Sequence, residues 1–490
     1  MTNFEEFNLH DSLLQAVHDL GYASPTPIQE AVIPHILAGK DVIAKAQTGS
    51  GKTAAFSLPA LNLLTENPDK TILILTPTRE LALQVCTELQ KFSKHLDLTP
   101  SAVYGGEALS NQLRRLKKDN RVIVGTPGRL LDLFRSGHLR KFSPKLVVLD
   151  EADEMLNMGF LEDIQSIFSF LPSDRQTLLF SATISNQIKK IANNFQTDPL
   201  TCDVANSKQA HKDIHQIYHL IDERDRKDAL IHMLKYHIPT KSIVFCNTKR
   251  QVEQLSKDLA KSGFFILSLH GDMTQKDRQN SIDYFRKSEN TVLVATDVAG
   301  RGIDVADISH VFNVDLPTSS DGYTHRIGRT GRMGNKGTAV TFLSPHQISG
   351  LKRILSGKVA EIKFTEMPTA AEINSRQQKV FSQTLTKEAI HENASAILTG
   401  LQDALSLEEI TLRLISLYWR KAGLSKNKNF APPSKPTKRG KRSNERFSER
   451  KRRSDRFSER KTTRNKFSAK KANGDKFSDR KGSKKRFRKV

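Results

Sequence analysis

The chain has 490 residues, 77 lysines and arginines against 53 acids, and a formal charge of +24. It has no run of about 18 apolar residues, so a membrane helix is excluded, and its first ten residues hold two glutamates and no lysine or arginine, unlike a secretory leader. Cys86, Cys202 and Cys246 lie too far apart for a metal-binding spacing and read as reduced thiols.

In chain order, short apolar runs at 41–44, 71–75, 121–124, 146–149 and 177–180 alternate with longer helical patterns. A second series follows at 242–245, 264–269, 291–294, 310–314 and 338–342. Such runs, β-branched or aliphatic and with little polar alternation, suit strands buried on both faces of a parallel sheet. Strand–helix alternation predicts α/β doubly wound domains. The series breaks at 197–212, a polar stretch that reads as a linker between two similar lobes. Helical periodicity runs from 368 to 424, and composition then collapses to Lys, Arg, Ser, Asn and Pro. Residues 421–490 hold 28 lysines and arginines against six acids, a net of +22, leaving +2 for the rest. Phe447, Phe457, Phe467, Phe477 and Phe487 repeat every ten residues in this tail. One phenylalanine per ten residues cannot bury a core, which predicts a disordered arm. Its phenylalanines can stack on bases and its cations pair with phosphates.

The first run leads into Ala46-Gln47-Thr48-Gly49-Ser50-Gly51-Lys52-Thr53. A strand, a Gly-rich turn and a Lys-Thr ending is the phosphate-binding loop pattern, with Ala46 where the pattern has Gly. Backbone amides of such a turn converge on phosphate oxygens at a helix N-terminus. Lys52 would neutralise the β/γ-phosphates and Thr53 would ligate Mg²⁺. The run 146–149 leads into Asp150-Glu151-Ala152-Asp153. A carboxylate at a strand's C-terminal end, downstream of a phosphate loop, is where a magnesium-binding aspartate belongs. Glu151 could orient or deprotonate the attacking water.

With these residues in place the sequence, over roughly 4–345, resembles the DEAD-box RNA helicases of helicase superfamily 2, bacterial in type. The resemblance implies two tandem RecA-like doubly wound domains at 1–206 and 212–366. A helical extension at 367–424 and the basic Phe-repeat RNA arm at 425–490 follow. Phe4, Tyr22 and Pro25-Thr26-Pro27-Ile28-Gln29 are similar to the family's adenine-recognition motif, in which the Gln amide selects ATP. The resemblance assigns nucleotide binding to Tyr22, Gln29, Thr48, Gly49, Ser50, Gly51, Lys52, Thr53 and Asp304. It assigns metal binding to Thr53 and Asp150, and catalysis to Lys52, Asp150, Glu151, Arg329 and Arg332. The arginines come from His325-Arg326-Ile327-Gly328-Arg329-Thr330-Gly331-Arg332, which looks like the arginine-finger motif. Asp153, Ser181, Thr183 and His325 are assigned to coupling, with Ser181-Ala182-Thr183 bonding Asp153 in family terms. RNA contacts fall on Pro77, Thr78, Arg79, Gly105, Gly106, Thr126, Pro127, Gly128 and Arg129 in the first lobe. In the second they fall on His270, Gly271, Arg278, Thr296 and Asp297. Nearly every one of these boxes directly follows a predicted strand, where open α/β sheets bind ligands.

ATP and Mg²⁺ are thus the implied nucleotide and ion, RNA the implied partner, and local strand separation the implied work. Ribosomal particles or RNA-decay machinery are compatible partners, the cytoplasm is the expected location, and no membrane association is expected. The stretch 405–419 loosely resembles a dimerisation segment of some bacterial cold-adaptation helicases, with a helix packed on the second lobe or on nothing as the alternative. Two other functions compete. A DNA-directed superfamily 2 motor shares the phosphate loop and fingers but not the Gln29 motif, and a non-enzymatic RNA chaperone would not need Lys52, Glu151, Arg329 and Arg332.

Overall fold

The computed structural model describes residues 3–46, 49–204, 213–300, 305, 308–331, 335–355, 362–421 and Phe430. Among the described residues fourteen strands form two seven-stranded sheets. The first contains β1 (Val42–Lys45), β2 (Thr71–Leu75), β3 (Ser101–Val103), β4 (Val122–Gly125), β5 (Pro144–Leu149), β6 (Gln176–Ser181) and β7 (Leu200–Asp203). The second contains β8 (Ile214–Leu220), β9 (Lys241–Cys246), β10 (Phe265–Leu269), β11 (Thr291–Thr296), β12 (His310–Asn313), β13 (Gly337–Leu343) and β14 (Lys363–Phe364). The strand orders are β3-β4-β2-β5-β6-β1-β7 and β10-β11-β9-β12-β13-β8-β14, and all pairings are parallel. Subtracting seven from each label of the second order reproduces the first, so the lobes are topological copies.

Both faces of each sheet are covered, which is why the strands read as continuous apolar runs. Val42, Ile72, Val124 and Val148 enter one core of the first lobe, while Ile43, Leu73, Ile123 and Val147 enter the other. In the second lobe Val244 and Val292 face one core and Ile243 and Leu293 the other. The alternation is the period-2 geometry of a strand with both faces buried.

The linker expected at 197–212 is corrected at its start. Residues Leu200–Asp203 pair in register with β1, Val42 opposite Leu200, so this stretch is an edge strand of the first sheet. Residues 205–212 lie outside the described residues, as do 422–429 and the arm from 431 onward. The helical extension forms Ala370–Leu385, Ala394–Gln402 and Leu407–Lys421. The first of these packs on the second lobe: Ile373 is fully buried, and Arg376 lies 5.1 Å over the Tyr236 ring. Among the described residues no helix is long and apolar enough to cross a membrane. All three cysteines are free.

Candidate functional site

The phosphate loop leaves β1 and enters the helix Lys52–Glu66. Gly51 caps that helix with φ 93°, a left-handed conformation that favours glycine. A Cβ there would sit 2.6 Å from Gln29 Nε2 and 2.8 Å from Thr26 Oγ1. The reason is a contact that the motif reading did not anticipate. Gln29 is fully buried, its Nε2 donates to the Gly51 carbonyl at 3.1 Å, and its Oε1 accepts from the Thr26 amide at 2.9 Å. Each end of the amide keeps capacity for one more bond, so the adenine-reading group and the phosphate loop are tied to one another. Tyr22 stands beside this element, edge-on to Phe4 and Phe92 with ring centroids 6.3 Å and 5.9 Å away. Gly49 also has a positive φ, of 82°. Thr48 lies outside the described residues.

Lys52 opens the helix and is 7% exposed. Its Nζ lies 4.0 Å from Asp150 Oδ1 and has no hydrogen-bond acceptor among the described residues. A buried ammonium without an acceptor is costly unless an anion completes it. Asp150, at the end of β5, is buried as well. Burial pushes its carboxyl up to about 6, Lys52 opposes that shift and Glu151 reinforces it. The pairing of a cation lacking an acceptor with a desolvated carboxylate fits a magnesium-bound polyphosphate, phosphate on the lysine and metal on the acid. Thr53 follows Lys52 on the same helix turn. Glu151 holds φ 51° and ψ 51°, left-handed and unusual for a glutamate. Such strain persists only where the surroundings over-determine it, and it clusters at functional positions.

The third acid of the box faces the end of β6. Asp153 Oδ2 accepts from the Thr183 amide at 2.9 Å and from Thr183 Oγ1 at 3.1 Å. Ser181 Oγ donates to the Thr183 carbonyl at 2.6 Å, which closes the turn. Burial raises the Asp153 pKa, with His325 and Lys52 pulling it down.

The second lobe reaches this box directly. His325 Nδ1 lies 2.9 Å from Glu154 Oε2, and Glu154 is 1% exposed. Burial acts to lower the His325 pKa, but the Glu154 bond and the charges of Asp153, Glu154 and Glu151 outweigh it and hold the imidazole above its ordinary value. Glu154 was not singled out by motif; the only signal was a fourth acid directly after the box. Arg329 is buried four residues on, with Nε donating to the His325 carbonyl at 3.3 Å. Arg332 and Asp304 lie outside the described residues.

A cleft of about 470 Å³ opens between the lobes. Pro77, Thr78, Arg79, Glu80, Gly105, Thr126, Gly128 and Arg129 line one side, and Gly271, Met273, Gln275 and Arg278 the other. Thr78 and Thr126 are the N-caps of the helices Arg79–Phe92 and Pro127–Arg135, with Pro127 at the first helical position. Arg79 lies against the Gly105-Gly106 turn. Gly106 has φ 87°, a left-handed conformation that favours glycine, and a Cβ there would meet Arg79 Nη1 at 2.2 Å and push the guanidinium aside. The same arginine donates to Gln275 across the cleft at 3.2 Å. Arg278 forms an ion pair with Glu80 on the opposite lobe and donates to the Ala299 carbonyl at 2.9 Å. Its guanidinium therefore bridges the lobes, and Glu80 is a second residue the motif reading passed over. His270 precedes the lining residue Gly271, and its Nε2 is 4.0 Å from Glu253. Thr296 and Asp297 are not among the cleft's lining residues. Asp297 receives Arg326 through Nε and, at 2.7 Å, through Nη2.

Comparison with known proteins agrees with this geometry. The family model "DEAD/DEAH box helicase" matches residues 26–191 and "Helicase conserved C-terminal domain" matches 225–334. The chain is 43% identical to the DEAD-box ATP-dependent RNA helicase RhpA of Helicobacter pylori over 446 residues, covering 91% of this chain and 89% of that protein. It is 41% identical to the DEAD-box ATP-dependent RNA helicase CshA of Bacillus subtilis over 403 residues, 82% of each chain. Among solved structures, S. cerevisiae Dbp5 bound to RNA and ADP BeF3 superposes with a TM-score of 0.68 at 32% identity, covering 78% of this chain and 100% of that one. The DEAD-box helicase Mss116 bound to ssRNA and UDP-BeF gives 0.70 at 29% identity, covering 77% and 81%. The two sheets, the interlobe site and these relatives lead to one assignment: the chain belongs to the DEAD-box ATP-dependent RNA helicases.

Proposed function

We propose that the protein separates RNA duplexes locally by closing its two lobes over ATP and one RNA strand, hydrolysing the nucleotide only in the closed arrangement. The observation that carries this reading is the His325–Glu154 contact, which sets the second lobe against the acidic box beside a cleft lined by both lobes. Gln29 and Tyr22 take the adenine, and the turn Thr48–Gly51 with Lys52 takes the phosphates. Thr53 and Asp150 would hold Mg²⁺, which neutralises phosphate charge when bound. Glu151 orients the attacking water, while Arg329, with Arg332, stabilises the charge that develops on the transferred phosphoryl group. Asp304 reads the ribose. Hydrolysis needs both lobes, so ATP and RNA favour the same closed state and each raises affinity for the other. The Asp153–Thr183 bonds connect the acidic box to the end of β6 and supply the coupling.

Pro77, Thr78, Arg79, Gly105, Gly106 and Thr126 to Arg129 grip one stretch of RNA backbone, and His270, Gly271, Arg278, Thr296 and Asp297 serve the next. Contacts of this kind read sugar and phosphate, so sequence selectivity is low. The basic arm adds affinity, and ribosomal particles or RNA-decay assemblies are suitable targets in the cytoplasm. The test is turnover by Lys52→Ala and Glu151→Gln. Both lose RNA-stimulated ATPase, and Glu151→Gln keeps ATP and RNA in a stalled complex; normal steady-state turnover by either contradicts the site. Stimulation by DNA equal to that by RNA would favour a DNA motor instead.

A second copy of the chain is a further partner. Leu407, Leu414 and Leu417 are each more than half exposed on one face of the helix Leu407–Lys421, an apolar surface suited to self-association. Sedimentation equilibrium of the full chain reads this directly.

A further inference from the structure

Arg226 stands outside every motif quoted above and is 6% exposed at the start of the helix Arg226–His237. Its guanidinium is spread over three acceptors. Nη1 donates to Asp315 Oδ1 at 2.9 Å, and Nη2 donates to Ser344 Oγ at 3.1 Å and Gln347 Oε1 at 2.6 Å. Asp315 lies just past β12 and Ser344 just past β13, so one rigid fork ties two strand ends together. Asp315 passes the constraint on. Its Oδ2 accepts from the Asn247 amide, just past β9, at 3.0 Å, and its carbonyl accepts Arg326 Nη1 at 2.6 Å. Asn247 Oδ1 accepts Arg326 Nη2 at 3.0 Å.

Arg326 is 2% exposed, lies 5.3 Å over the Phe245 ring and carries the Asp297 ion pair. It belongs to the helix Ser320–Ile327 that presents His325. The Arg329 amide donates to the Arg326 carbonyl at 3.2 Å. A continuous polar chain thus runs from Arg226 through Asp315 and Asn247 to Arg326, and on to Arg329 and to His325, which meets Glu154 of the first lobe. Its two arginines are buried while Asn247 between them is exposed, and buried cations hold their geometry only while their acceptors stay in place.

We propose that Arg226 and Asp315 are positioning residues for hydrolysis, locking the carboxyl edge of the second sheet so that Arg326 holds His325 and Arg329 in register with the acidic box of the first lobe. The assignment rests on the reading of Arg329 as the group that serves the phosphate across the cleft. Neither residue touches ligand; both act through Arg326. Their loss therefore affects the rate of the closed complex and spares ATP capture by the first lobe.

The experiment is steady-state ATPase of the full chain at saturating RNA, with kcat and KM for ATP separated, for Arg226→Met, Arg226→Lys, Asp315→Asn and the Arg226→Met/Asp315→Asn pair. A displacement on the order of 1 Å at a reacting centre costs up to about 100-fold, so kcat falls roughly 10- to 100-fold in Arg226→Met and Asp315→Asn while KM stays within about threefold. Arg226→Lys recovers part of the loss, and the double variant is no slower than the slower single, because the two share one network. Asp315→Asn is isosteric, so it reads the network even if Arg226→Met folds poorly. Wild-type kcat in Arg226→Met and Asp315→Asn overturns the proposal, as do multiplicative losses in the pair or a rise in KM matching the fall in kcat. Arg329→Ala separates the two readings. If Arg329→Ala loses stimulated hydrolysis and the other variants do not, only the positioning assignment fails. If Arg329→Ala hydrolyses normally, both fail.

Discussion

The ion pair between Arg278 and Glu80 offers the sharpest perturbation of lobe closure. The two side chains are 12% and 7% exposed, and they come from opposite lobes. Removing one partner of a buried pair strands the other charge, at a cost of about 3–5 kcal/mol. Arg278 retains the Ala299 carbonyl, so the lower end applies. The penalty exists only in the closed arrangement, because separated lobes leave both groups in water. A cost of about 3 kcal/mol corresponds to roughly a 100-fold smaller closing equilibrium constant, at 1.4 kcal/mol per decade. Glu80→Gln and Arg278→Met should each lower kcat/KM for RNA by about that factor, with ATP affinity in the absence of RNA unchanged. Glu80→Gln combined with Arg278→Met should be no worse than either alone, since no charge is stranded. The assay is ATPase against RNA concentration at saturating ATP. Two results refute the reasoning: a near-normal Glu80→Gln, or an Arg278→Met loss that grows when Glu80 is also neutralised. Either would make RNA contact, and not the pairing with Glu80, the dominant contribution of Arg278.

Further outcomes follow from other contacts. Gly51→Ala forces a Cβ to 2.6 Å from Gln29 Nε2 at a left-handed φ, so ATP affinity falls at least about tenfold; unchanged nucleotide affinity by calorimetry refutes this. Burial depresses His219 to about 4 and His310 to about 4. The unfolded chain binds these protons near pH 6.5, so the stability that neutral histidines contribute is complete above 6.5 and is lost as pH falls towards 4. His219 alone contributes a loss of about 2 kcal/mol at pH 5, which should lower the melting of the second lobe by several degrees. Trp419, the single tryptophan, sits 5.7 Å from Phe381 of the extension and reports the transition by fluorescence; a flat pH profile contradicts the shift. Deleting residues 421–490 leaves RNA-stimulated ATPase but weakens RNA affinity and flattens its dependence on salt, and an unaltered slope removes the arm from RNA binding.

Most strands legible in the sequence were those buried on both faces, because burial there demands unbroken apolar runs; β10, an edge strand with Phe265 exposed, was legible because its residues are apolar all the same. The ones passed over are at edges or carry polar residues inward. β7 exposes Thr201 and Asp203, and β14 is two exposed residues, so neither needs an apolar run. β8 reads as polar because Gln216 and His219 point into the lobe, Gln216 accepting from the Tyr323 hydroxyl at 3.1 Å and His219 bonding the Thr365 carbonyl at 2.7 Å. Motif residues were legible because local spacing declares them: a glycine turn, an acidic box, paired arginines. Their partners were not. Glu80, Glu154, Arg226 and Asp315 work through contacts between segments 68 to 198 residues apart, which no local pattern encodes.

The central claim is that hydrolysis belongs to the closed pair of lobes. It is tested most directly by fluorescence energy transfer between a dye on the first lobe and a dye on the second, recorded alongside ATPase. The account predicts high transfer only with ATP and RNA together, lost in Arg329→Ala in step with hydrolysis. Hydrolysis at full rate while the dyes report separated lobes would contradict it.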